Sequence, residues 1–320
     1  MNQEPEKTTP TGSSSGSWLR YYEFGEMRIR TIFLGILTLL ATLAGGCATI
    51  PYSYGENPDT GLTLRLAPTE SQIERGRPQK VVDGLGHYLL SLPSKLILWN
   101  WQVDNHKISP ETEAVLSAYL AANNLGNVKV RLNQYAPGNE WRRLIKNREM
   151  PAFFRYTLGA LSASLYTILP GRLFGGDNYD PFTNTINLYS DCRAIALHEA
   201  AHAKDFGGKR NRHWKGWYAF LRMLPLTPLY QEARATGDAI GYANREQLTT
   251  EEKEAYKTLY PAYMTYIGGE GLRWIPLDPL SSYGVQLALA LPGHLVGRLK
   301  ALAVEEAAVP PEPLTAPGPS

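Results

Sequence analysis

His198 and His202 stand four residues apart, and Glu199 directly follows the first of them. On a helix that spacing puts both imidazoles on one face, one turn apart. Two neutral imidazoles so placed can both reach one tetrahedral Zn2+ ion. Glu199 flanks the pair rather than ligating with it. Its carboxylate is placed to take a proton from a zinc-bound water and pass it to a leaving amine. Zinc lowers the pKa of such a water to roughly 7, which makes hydroxide available at neutral pH. The expected chemistry is hydrolysis of a protein or peptide bond, with Zn2+ as the cofactor. Without a metal, two histidines and a glutamate on a semi-buried helix would carry a desolvation cost.

Several elements must hold these residues. Ser190 or Asp191 can cap the helix, and Gly207-Gly208 supplies its stop. Thr185-Ile186-Asn187-Leu188-Tyr189 reads as a short strand directly before it. Val128-Lys129-Val130-Arg131-Leu132 alternates apolar and polar, so it reads as a half-buried strand. Ser109-Pro110-Glu111 opens a helix that runs to about Asn123, with a Ser cap, Pro at the first position and acids in the first turn. Residues 152–174 are apolar with several aromatics, a core or membrane-facing segment. Thr227-Pro228 opens the first of two or three further helices over 227–300. The small Ala233, Ala235 and Ala239 would let that helix pack close to the Ala-rich metal helix.

The His198–His202 helix, its preceding strand and the helix carrying Glu232 cover roughly residues 180–245. Together they resemble HExxH zinc peptidases of the gluzincin type, nearest the HtpX and prenyl-protease group. A metzincin pattern would place Gly at 205 and His at 208, where this chain has Asp205 and Gly208. The gluzincin resemblance implies Glu232 as the third metal ligand. It also implies an α+β, zincin-like domain, mostly helical, whose edge strand Thr185–Tyr189 pairs with the substrate backbone. The family pattern has Asp four residues after the Glu; Thr236 stands there, and Asp238 comes two later. Asp205 or Asp238 is therefore expected to receive the free ring N–H of a ligand histidine. His294 and the Tyr260/Tyr263/Tyr266 cluster, Tyr263 foremost, are the candidates for polarising the scissile carbonyl.

The N-terminal part reads as targeting rather than fold. Residues 1–26 are polar and form an extension unable to bury a core, and Met27 is the better start. Residues 27–47 join a short basic segment, an apolar run from Ile32 to Leu43 and Ala44-Gly45-Gly46-Cys47, a secretory signal. Its end resembles the lipobox of bacterial lipoproteins, which implies lipidation at Cys47. By that resemblance the protein is lipid-anchored in the cell envelope, with Ala48 leaning towards the outer membrane, facing the periplasm. Residues 48–80 read as a tether, 81–305 as the catalytic domain, and 306–320 as a Pro-rich disordered tail.

With 320 residues and 43% hydrophobic content, the chain can bury a sizeable core. A net charge of +2 argues against a dedicated nucleic-acid binder. The two cysteines, Cys47 and Cys192, have no partner at metal-ligand spacing, so histidine and carboxylate must hold any zinc. The basic, aromatic stretch Lys209–Trp217 suits headgroup contact better than nucleic acid. The competing expectation is a zinc-binding envelope lipoprotein without catalysis, acting as a scaffold. A third is a binding module with an incidental motif. The intact Glu199 speaks against a scaffold.

Overall fold

Long helices arise here where cap residues and prolines start apolar, alanine-rich runs, and short strands where β-branched residues alternate with polar ones. The computed structural model describes residues 51–59, 61–273 and 276–305, all within the compact unit Ala44–Ser320. The expected extension 1–26, leader, Cys47 and tail 306–320 lie outside the described residues. In chain order come β1 (Ile73–Arg75), α1 (Lys80–Leu85) and α2 (Leu92–Leu98), the last two joined by a π-turn at Gly86–Leu90. Next are α3 (Pro110–Ala122), β2 (Lys129–Leu132) and α4 (Pro137–Lys146). Three short helices follow, α5 (Ala152–Phe154), α6 (Ala160–Ile168) and α7 (Gly171–Phe174), then β3 (Asn178–Asp180) and β4 (Thr185–Leu188). The rest is helical: α8 (Arg193–Gly207), α9 (Arg212–Leu221), α10 (Thr227–Arg245), α11 (Thr249–Leu272) and α12 (Pro279–Leu302). The class is α+β.

Among the described residues the four strands form one sheet in the order β1-β2-β4-β3. β1 and β4 flank β2 in parallel, and β3 runs antiparallel to β4, pairing Tyr179 with Ile186. This corrects the edge-strand expectation. β4 is internal, and the edge next to α8 is β3. Only three residues long, β3 carries no periodicity that the sequence could display.

One sheet face packs Val130, Leu132, Ile186 and Leu188 against Leu116 and Tyr119 of α3 and Leu197 of α8. The opposite face was expected to meet solvent, yet Lys129 and Arg131 are buried there. Lys129 Nζ lies 2.5 Å from Glu74, and Arg131 pairs with Glu74 at 3.1 Å and Glu140 at 2.7 Å. Buried charges persist only when so paired.

Those pairs also correct the tether expectation for 48–80, of which 51–59 and 61–80 are described. Glu74 lies on β1 and is the counter-charge for β2. Tyr52 donates its hydroxyl to Asn123 at 2.8 Å, and Asn57 bonds Asn124 and Asn127. This stretch is mostly without regular structure, but side chains fasten it to the body.

The α3 start is as expected: Ser109 caps Thr112 N–H, with Pro110 next. The α8 start is not. Asp191 accepts from Ser109 and Thr112, so it braces α3, and Cys192 holds the α8 cap position without a side-chain bond. Along α8, Ala196, Ala200 and Ala203 are buried, as are Ala235 and Ala239 of α10. Small residues on both helices allow the close packing that brings Glu232 to the histidines.

Candidate metal centre and catalytic cleft

His198 and His202 project from α8 towards the first turns of α10, where Glu232 is 1% exposed. His198 Nε2 lies 3.0 Å from Glu232 Oε2, and His202 Nε2 lies 3.4 Å from Oε1. Ligands about 2.0–2.1 Å from a tetrahedral ion stand about 3.3 Å apart. The three side chains therefore sit close to the spacing that one Zn2+ requires, and they form a group that could hold a metal ion. Burial disfavours a proton on His198, but the hydrogen bond and charge of Glu232 outweigh it and raise its pKa. Burial opposes charge on Glu232 as well, yet His202 and His198 hold it well below the usual carboxylate range. The trio attracts positive charge, which a metal ion supplies more completely than a proton.

Two cavities open on either side of the trio. One, of about 380 Å³, is lined by His198, Tyr263 and Thr236; the other, of about 230 Å³, by His202, Phe206 and Arg222. Asp177, Glu199, Glu232 and Tyr266 line both, so they mark the middle of the cleft. Glu199 is buried, and its Oε2 accepts the backbone N–H of Tyr179 at 2.8 Å. The edge strand β3 thus lies directly against the expected general base.

Other sequence expectations are rearranged. Asp205 accepts the Tyr218 hydroxyl and pairs with Lys209 and Arg234, each at 3.1 Å. Asp238 pairs with Lys204 at 2.5 Å and accepts the Tyr119 hydroxyl. Neither is engaged by His198 or His202, because cations and tyrosines, most of them on other helices, hold their oxygens. Thr236, at the place where the resembling family has Asp, lies 3.5 Å through Oγ1 from His198 Nδ1. His294 is excluded from the site: its Nε2 donates to Ile97 O at 2.7 Å, and its ring stacks on Trp99 at 3.9 Å. Tyr263 does line the cleft.

One group escaped the sequence reading. Arg222, just beyond α9, forms an ion pair with Glu232 Oε1 and bonds Gln231 at 3.3 Å. No motif spacing announces a cation ten residues before Glu232. Tyr266 lies beside it, and the charge of Glu232, then burial, raises its pKa and keeps the hydroxyl protonated. It belongs to the Tyr260/Tyr263/Tyr266 cluster that the sequence singles out, and its three-residue spacing from Tyr263 puts both on one side of α11.

No family model, curated protein or solved structure matches this chain.

Proposed function

We propose that this protein is a zinc-dependent endopeptidase with a zincin-like, gluzincin-type catalytic domain. The observation that carries the reading is the convergence of His198, His202 and Glu232 at metal-ligand spacing, with Glu199 beside them in a cleft. Bound there, Zn2+ would polarise both a water and the scissile carbonyl. Glu199 accepts the proton released by the attacking water and delivers it to the leaving amine. Arg222 and Tyr266 supply fixed donors near the place where the carbonyl oxygen gains charge. β3 is the edge at which an extended protein or peptide substrate can add as a strand. In this reading the enzyme is anchored through lipidated Cys47 in a bacterial envelope, on the periplasmic face of the outer membrane.

One observation favours the second reading, a catalytically inactive zinc-binding scaffold. The Tyr179 N–H already occupies Glu199 Oε2, as a purely structural carboxylate would be occupied. Glu199→Gln separates the two. The variant should keep one zinc per chain by elemental analysis and lose peptide cleavage by about 10²- to 10⁴-fold. Cleavage unchanged by the substitution would defeat the peptidase reading, and a zinc-free protein would defeat both.

A further inference from the structure

A cavity of about 600 Å³, larger than either at the metal centre, lies on the far side of Leu98 and Thr258. Its wall carries Arg193, Lys253, Lys257 and Arg298 against one carboxylate, Glu254. Arg193 is paired, lying 2.8 Å from Glu251 and 3.5 Å from Glu254. Burial raises the pKa of Glu254, and Arg193 is the cation it faces.

Arg298 has neutral neighbours. It donates to Nδ1 of His294 at 2.8 Å and lies 4.7 Å from the Trp99 ring centre. Burial first, and then the charge of Arg298 itself, lower the pKa of His294. Lys253 and Lys257 stand four apart on α11, where like charges repel. Thr249 and Thr250, the first residues of the same helix, add hydroxyls to the wall. Trp99, 55% exposed, gives the cavity one flat apolar side.

A concave wall with this excess of cations gains most from an anion that bonds to several of them at once. We propose that this cavity is an anion-binding site for a ligand bearing a carboxylate or a phosphate group. The site does not depend on the metal centre, so it stands or falls separately from the peptidase reading.

Titration calorimetry of the full chain, with inorganic phosphate and with succinate as separate probes, tests it. Saturable binding that weakens with added sodium chloride is expected for at least one probe. Saturation by phosphate alone marks a phosphate ligand, and saturation by succinate alone a carboxylate ligand. Lys257 is exposed, so Lys257→Glu should leave the melting temperature unchanged and weaken binding about tenfold. Arg298→Gln should weaken it at least as much. No saturable binding of either probe up to about 20 mM would overturn the proposal. So would affinities unaltered in both folded variants.

Discussion

Glu232→Gln is the sharpest perturbation of the proposed metal centre, because it removes a charge while keeping the side chain's shape. In the native site the carboxylate faces His198 Nε2, His202 Nε2 and Arg222 together. Breaking a buried pair by removing one partner costs about 3–5 kcal/mol. Arg222 is 42% exposed and can regain water, so the metal-free variant should lose less, about 1–3 kcal/mol. The zinc effect is separate and of similar size. With free zinc at a hundredfold excess over its dissociation constant, binding stabilises a folded protein by about 2.7 kcal/mol. In a unit of this size that corresponds to a melting shift of roughly 5 °C. The variant lacks the anionic ligand and should show little of that shift at the same zinc concentration. Paired melting curves with zinc and with chelator, on both proteins, measure it directly. If the variant keeps the full zinc-dependent shift, Glu232 is not a ligand and the proposed centre is wrong.

Other outcomes follow from the same geometry. Tyr266→Phe and Arg222→Gln should each retain zinc yet lower kcat by about 10²-fold, read from steady-state cleavage of a peptide; unchanged kcat in both would remove them from catalysis. Glu74→Gln should destabilise the protein by about 1–3 kcal/mol in urea unfolding, because Lys129 and Arg131 are left with Glu70 and Glu140 alone. Wild-type stability in that variant would mean the β1 segment is not a structural strand. Asp177 has its pKa raised to about 7 by burial and then by the Asp104 charge, from an ordinary 3.8. A carboxyl raised on folding binds its proton more tightly in the folded state, so its contribution is full below about pH 4 and is lost as pH rises to about 7. Asp177→Asn should therefore flatten a fall of about 2–4 kcal/mol across that window, measured by denaturant unfolding in chelator; an unchanged slope would contradict it.

Local chemistry is what the sequence could express. His198 and His202 stand four apart on one helix, so the 3.6-residue period alone fixes their shared side, with Glu199 flanking them. The α3 start and the α8 stop were legible for the same reason, since caps, prolines and glycines act on their own neighbours. The α10 helix was legible too, though Leu226 rather than Thr227 occupies its cap position. Glu232 as third ligand required the gluzincin resemblance as well, and the structure brings that residue to the two histidines.

What needed tertiary structure was every choice between chemically similar partners. Asp205 and Asp238 had the right type for a histidine partner, but long-range contacts with Arg234, Tyr119 and Lys204 engage them instead. His294 had the right type for a polarising group, but α12 carries it to Trp99 and Ile97. Strand order decided that β3, not β4, forms the edge, because parallel pairing of β2 on β4 encloses the longer strand. The burial of Lys129 and Arg131 was equally hidden, since their counter-charges arrive from residues 70–74 and from α4. Sequence determined which side chains could bind a metal and move a proton. Only packing decided which of the remaining charges face that centre, because Coulomb and hydrogen-bond partners are selected by distance in space rather than along the chain.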